Sequence, residues 1–228
     1  FKNPPNPNVD PLIWSEVNML GQAIATKLHE SGKTGVIWGE RYSAYWQGAN
    51  NTNPWWHNMV AILTETASAS MATPLTIARD ELRPTRPDQG LPVYEAVKNF
   101  PDPWLGGEWR LRDIMDYQFV AAMSVLKQAA RYKNEFLFNN YLMARQAIEE
   151  GEQGGPFAYV VPAGQKDRPT AVEMIDRLML QGIEVHRADS DIRIAGETYP
   201  QGSFFILAAQ PARSALVDLF ERQDYPDV

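Results

Sequence analysis

The chain contains no cysteine. That absence removes disulfides, thiolate metal sites and a cysteine nucleophile together, while leaving the compartment unassigned. Histidine is nearly as scarce, with His29, His57 and His186 the whole complement. None opens a His-x-x-Glu or His-x-x-x-His spacing. The nearest approach, His186-Arg187-Ala188-Asp189, falls at a strand end with no second histidine beside it. A catalytic zinc takes three protein ligands, so the chain is not expected to hold one by itself. No apolar run reaches the roughly 18 residues of a bilayer span. Dense positive charge is missing too: 21 Lys and Arg stand against 28 Asp and Glu, for a net charge of −7. The cations are scattered, which argues against nucleic acid as a partner, because phosphate neutralisation needs a concentrated basic surface. There is no Gly-x-Ser-x-Gly elbow. Gly32-Lys33-Thr34-Gly35 lacks the upstream glycine of a phosphate loop and reads as a helix-to-strand turn. No secretory signal is visible, and the opening on Phe1 reads as the start of a processed or excised product.

What is present is ordinary for a globular protein: 228 residues, 44% hydrophobic and 21% charged, enough for a sizeable core in one or two domains. Phe1 to Asp10, with three prolines, predicts an irregular lead-in. Ile13, Val17, Leu20, Ile24 and Leu28 recur at helical spacing, so residues 11–29 predict an amphipathic helix that Gly32 stops. Residues 34–38 predict a short strand and residues 58–64 a buried one. Between 73 and 110 no period is sustained, and the segment reads as a surface excursion with one short helix at 93–100. Residues 111–150 lack proline and glycine and carry Ile114, Tyr117, Ala121, Val125, Ala129, Tyr132 and Phe136 along one face. This predicts a long helix, broken near Asn139-Asn140. GEQGGP at 151–156 reads as a linker. Beyond it, strand 157–161, helix 169–180 and strand 183–186 predict a βαβ unit with a parallel pair. Residues 192–195 and 203–208 predict a hairpin, and 213–222 a last helix. The fold class is α/β. Residues 1–153 are expected to form a partial three-layer domain on a mixed sheet, and 156–228 a small flavodoxin-like layer that reads as truncated.

The chemistry concentrates in residues 42–68, YSAYWQGANNTNPWWHNMVAILTETAS. A polar loop carrying Tyr42, Tyr45, Trp46, Trp55 and Trp56 leads into an apolar run that ends near one carboxylate, Glu65. Desolvation on one side favours the protonated form of a carboxylate and suits general acid/base work. The small, permissive segment Gln47 to Asn51 suits a mobile lid that carries a phenol over a ligand. On pattern alone, a helix N-cap contact or a surface salt bridge competes for Glu65, and aromatics beneath a loop are often packing. Tyr, Trp, Asn and Gln also line peptide and carbohydrate sites, so a non-catalytic binding module using loop 42–56 stands as the alternative.

The order helix, short strand, tyrosine-bearing loop, apolar strand, Thr64-Glu65 resembles the C-terminal half of the catalytic domain of M14 (carboxypeptidase A-like) zinc carboxypeptidases. The phrases NPPNPNVDP, HNMVAILTETAS, KDRPTAVEMIDRLML and FFILAAQPARSALVDLF are similar to a bacterial subgroup. In that subgroup the peptidase domain is followed by a small α/β domain like class I glutamine amidotransferases. The resemblance covers nearly the whole chain. It implies a partial zinc-carboxypeptidase-like domain at 1–153 and an amidotransferase-like domain at 156–228. It further implies Glu65 as general base, Tyr45 as the phenol covering the substrate, with Tyr42 competing for that role, and Trp46 beside them. The family's zinc ligands lie upstream of the proline-rich segment that begins here at Phe1, so zinc is expected in the full-length protein and not in this chain. The chain then reads as a C-terminal portion, inactive alone, whose partners are a peptide substrate and the upstream segment of the same polypeptide. A homo-oligomer is open, and export is what the resemblance implies for location. Without cysteine, amidotransferase chemistry is excluded in the second domain. A stable remnant that self-associates through uncovered apolar surface is a further expectation.

Overall fold

The structure is a computed structural model that describes residues 1–39, 41–69, 72–82 and 94–226. Among these residues it is a mixed α/β protein, with five α-helices and small antiparallel sheets. Contacts divide it into two compact units. The first comprises Phe1–Pro7, Pro11–Pro54 and Val60–Leu137, and the second Asn8–Asp10, Trp55–Met59 and Phe138–Val228.

In the first unit, α1 spans Pro11–Glu30 and buries Ile13, Leu20, Ile24 and Leu28, the face that periodicity predicts. It ends in a Schellman arrangement: Lys33 N–H donates to Leu28 C=O at 2.9 Å and Gly32 N–H to His29 C=O at 2.9 Å, with Gly32 at φ 69°. Helix α2 is Leu111–Arg131. Ile24, Leu28 and Ala121 form the buried centre between α1 and α2, and Val36, Ile62, Tyr117 and Val125 pack around it. The predicted strand at 34–38 does not form. Its backbone is engaged elsewhere: Gly35 N–H donates to Asp102 C=O at 2.7 Å and Trp38 N–H to Asn99 C=O at 3.2 Å. Nor do residues 58–64 join a sheet; an apolar run makes a strand only where another backbone offers a ladder. The unit's sheet instead pairs β1, Leu75–Ile77, antiparallel with β2, Gly107–Trp109. Of the expected helix at 93–100, Val93 lies outside the described residues and 94–100 is non-helical, folded into a turn closed by a Val97–Phe100 bridge.

The long helical stretch breaks at Tyr132 (φ −109°, ψ 28°), not at Asn139-Asn140. Helix α3 then runs Lys133–Gln153. Asn140 does not compete with its own helix, because its amide donates to Asn58 C=O at 2.7 Å. The helix continues through the first half of the expected linker. Gly151 is buried within it, where an added Cβ would lie 2.6 Å from the carbonyl of Ala208.

The second unit is built on a three-stranded sheet in the order β3, Ala158–Val161; β7, Phe204–Leu207; β4, His186–Arg187. Both outer strands are antiparallel to β7. The strands predicted as a parallel pair therefore run the same way but are separated by β7. Helix α4, Arg168–Leu180, starts at Asp167, which accepts from Thr170 N–H at 3.2 Å and from its hydroxyl at 2.8 Å. Those bonds hold the Asp167 carboxyl below its usual range. The core gathers Ile175, Leu178, Ile183, Ile206, Ala212 and Leu216, the last from α5, Arg213–Phe220. Buried Gln210 ties segment 183–185 to β7: it accepts from Glu184 N–H at 2.8 Å and donates to Leu207 C=O at 2.6 Å. The predicted hairpin of 192–195 with 203–208 is replaced by a tighter one. There β5, Ile192–Ile194, pairs with β6, Glu197–Tyr199, around Ala195 (φ 50°) and Gly196 (φ 90°). Two positive φ values in a two-residue loop define a type I′ turn.

Two stability outcomes follow. Gly151→Ala gains helix propensity of about 1 kcal/mol, yet the clash with the Ala208 backbone outweighs it. A net loss of about 1–3 kcal/mol is expected by urea denaturation. Ala195→Asn, which relieves an alanine held at positive φ, stabilises the chain by about 0.5–1 kcal/mol. A melting temperature that fell would contradict the type I′ assignment.

Candidate functional site

Glu65 lies in a segment held on both sides within the first unit. Three residues before it, Ile62 packs on the α1/α2 core. Two residues after it, Ala67 C=O accepts from Trp109 Nε1 at 2.9 Å. Glu65 itself is exposed, and the buried strand end expected for it is absent. Its position is fixed by anchors two and three residues away and not by burial of the carboxylate.

The tyrosine loop is fixed from the other end of the chain. Lys2 N–H donates to Tyr42 C=O at 2.7 Å, and Phe1 meets the Tyr42 ring edge-on at 6.5 Å. Asn6 is buried; its backbone N–H donates to Ala44 C=O at 3.0 Å and its side-chain amide to Tyr45 C=O at 3.0 Å. Tyr45 N–H donates to Ser43 Oγ at 3.1 Å. The asparagine of the proline-rich lead-in thus acts as a splint for residues 44 and 45. No pattern within the loop signals this, because the partner lies 39 residues away.

These anchors bring Tyr42 to Glu65. The Tyr42 hydroxyl shares a side-chain hydrogen bond with the Glu65 carboxylate. Partial burial, the bond and the negative charge of Glu65 all raise the Tyr42 pKa, while the neighbouring Arg41 guanidinium opposes them. The phenol is consequently a hydrogen-bond donor throughout the neutral range. Tyr45, the phenol that the family resemblance implies, is half-buried, with its backbone tied down at both N–H and C=O. Arg41 is the member of the site that sequence reasoning passed over, and its only signal is adjacency to Tyr42.

The aromatics of the loop divide by role. Trp46 is 54% exposed, with its ring lying across Gly48, where a Cβ would come within 2.2 Å of it. Trp55 and Trp56 are 1% and 0% exposed and stack on each other at 6.0 Å. They sit in a 3₁₀ turn, Asn53–His57, and serve as packing, with no face for a ligand. In the second unit a shallow recess is lined by His57, Asn58, Met59, Gln181 and Pro211, and none of the four expected site residues contributes to it. Among the described residues no three His, Cys, Asp or Glu side chains gather to hold a metal ion. The described residues do not fit a zinc site, and the chemistry open to this arrangement is proton transfer at Glu65 and hydrogen-bond donation by Tyr42.

The coupling has a measurable consequence. Tyrosinate absorbance, with Tyr42→Phe subtracted to isolate the residue, should show Tyr42 ionising above the ordinary tyrosine value near 10. Glu65→Gln should bring it back down. Because the folded pKa is the higher one, the bond's contribution to stability is complete below the unfolded value and fades as pH climbs through the folded one. A Tyr42 titration indifferent to Glu65→Gln would remove the pair from the site.

No family model, curated protein or solved structure matches the chain, so its functional reading rests on this geometry and on the sequence resemblance.

Proposed function

We propose that the chain is the C-terminal portion of an M14-like zinc carboxypeptidase, with Glu65 as its general base and Tyr42 as the phenol beside that base. Residues 1–153 then belong to the peptidase domain and 156–228 to the amidotransferase-like layer. The observation that supports this reading most directly is the accessible Glu65 carboxylate on a segment held by Ile62 on one side and Ala67 on the other, with the Tyr42 phenol beside it. A general base must be reachable by water and held in place, and both conditions hold for Glu65. In peptide hydrolysis Glu65 accepts a proton from the attacking water as its oxygen bonds to the scissile carbonyl carbon. It then delivers that proton to the amine nitrogen as the C–N bond breaks. Tyr42, neutral at physiological pH, donates a hydrogen bond that orients the carboxylate or, once substrate enters, the substrate. No step is assigned to a metal, since the described residues do not gather a site for one.

A second reading is favoured by one feature, the 54% exposure of Trp46: a binding module that stacks a peptide or saccharide on this ring. Both readings are tested on the longer polypeptide that carries this chain. Elemental analysis should find zinc, and release of C-terminal residues from peptides should fall by about 10²–10⁴-fold in Glu65→Gln. A longer polypeptide that binds no zinc, or a Glu65→Gln variant with undiminished turnover, sinks the peptidase proposal. Binding of peptide or oligosaccharide that is lost in Trp46→Ala and untouched by Glu65→Gln would establish the module instead.

A further inference from the structure

The sheet of the second unit gathers two arginines at one of its ends. Strands β3 and β4 both run antiparallel to β7, and Val161 and Arg187 both pair with Phe204, so the carboxyl ends of β3 and β4 meet the start of β7 there. Arg187 is the last residue of β4, and Arg168 is the first of α4, the helix that follows β3. Both are exposed, and between them lies buried Gly202. A carbon in the Cβ position of Gly202 would lie 3.6 Å from Arg187 Nη2, 3.9 Å from Arg168 Nη2 and 3.8 Å from Ala163 Cβ. The two guanidinium nitrogens are therefore at most about 7.5 Å apart, within the Debye length of about 8 Å at physiological salt.

Among the described residues neither arginine has an ion pair or a hydrogen bond. Acids are at hand in the flanking loops, but each takes a neutral donor. Asp167 accepts from Thr170, Asp189 from Ser190 Oγ at 3.1 Å and Asp191 from Gln201 N–H at 2.8 Å. The frame beneath the arginines is firmly tied. Ser203 is fully buried; its Oγ accepts from Ala163 N–H at 3.0 Å and donates to Pro200 C=O at 2.7 Å, and its C=O accepts from Ala188 N–H at 2.9 Å. One residue thus locks together the loop after β3, the turn before β7 and the end of β4. Gly202 is called for by its φ of 88° alone, and its missing side chain also leaves a notch flanked by the two guanidinium groups.

We propose that this notch binds a phosphate group, free or carried as a monoester, between Arg168 and Arg187. Charge selects the ligand. Near neutral pH a phosphate monoester carries about −1.5 to −2, which two guanidinium ions balance, whereas a carboxylate carries a single charge that one fork satisfies. Two forks arriving from different elements also suit the separate oxygens of a tetrahedral anion. The start of α4 is not the source of the site, because Asp167 caps it and Pro169 has no N–H to offer. The notch uses no residue of the Tyr42–Glu65 pair and stands independently of the peptidase reading.

The test is isothermal titration of the 228-residue chain with inorganic phosphate at constant ionic strength. A saturable isotherm with one site per chain is expected. Arg168→Gln and Arg187→Gln each alter an exposed side chain, so the circular dichroism spectrum should be retained. Phosphate affinity should fall at least about tenfold in each, the worth of one charge-assisted hydrogen bond. Arg177→Gln, which removes the same charge further along α4, should leave the affinity within about twofold. Acetate should compete far less well than phosphate. Phenyl phosphate that binds more tightly than inorganic phosphate would place the group on a larger ligand, and equal binding would point to free phosphate; both support the site. An isotherm without saturation overturns the proposal. So does either notch variant binding as the native chain does, Arg177→Gln weakening binding as much as they do, or acetate competing as well as phosphate.

Discussion

The phenol of Tyr117 is the constraint on which the first unit depends. Its hydroxyl donates to Thr34 C=O at 2.8 Å and accepts from Thr34 N–H at 3.1 Å. A single side chain thereby satisfies both backbone groups of a residue that a sheet would otherwise have to pair. Its ring lies edge-on to Trp109 at 5.3 Å and beneath the Lys33 ammonium at 5.0 Å. Trp109 in turn meets Trp104 at 5.9 Å and holds Ala67 C=O through its indole N–H. The chain of contacts runs from helix α2 to Thr34 on one side and to the Glu65 segment on the other. Burial raises the Tyr117 pKa, against the lowering effect of its bonds to Thr34, and the hydroxyl remains a donor under all physiological conditions. Glu65 is positioned by a phenol and an indole, without a ladder of backbone hydrogen bonds.

That substitution explains what sequence could and could not reveal. The helices were legible because their signals are local: Ile13 to Leu28 repeat at helical spacing, and Asp167 with Pro169 opens α4 within four residues. Strands 34–38 and 58–64 were misread because an apolar run states a wish for burial without saying where its backbone bonds go. Val36 and Ile62 are indeed packed on the helical core, so the burial half of that reading survives without the sheet. In the second unit the error was of connection. β7 inserts between β3 and β4, a choice fixed by contacts across dozens of residues, with Gln210 holding the neighbouring turn in place.

The candidate site divides in the same way. Glu65 and the tyrosine loop stand out by composition, and the structure joins them. Which tyrosine reaches the carboxylate was not legible, because spacing alone counts residues along a loop that is in fact pinned by Asn6 and Lys2. Those pins turn the backbone at 42–45 against the lead-in segment, and Tyr42 is the phenol left facing Glu65. Trp55 and Trp56, prominent in the sequence, are consumed by packing, so the accessible aromatic surface of the loop reduces to Tyr42, Tyr45 and Trp46.

Helix α2 carries a similar lesson about patterns read one face at a time. The face that includes Tyr117, Ala121 and Val125 is legible by period, and these three residues pack on α1. Leu111, Met115, Phe119, Met123 and Leu126 obey the same periodicity, shifted by two residues, and a search for one stripe stops once the first is found. Two interleaved stripes on one helix cannot both be satisfied by a single neighbour such as α1, because each neighbour covers only about a third of the helix circumference. A sequence that maintains the second stripe over four turns carries more apolar surface on this helix than α1 alone covers.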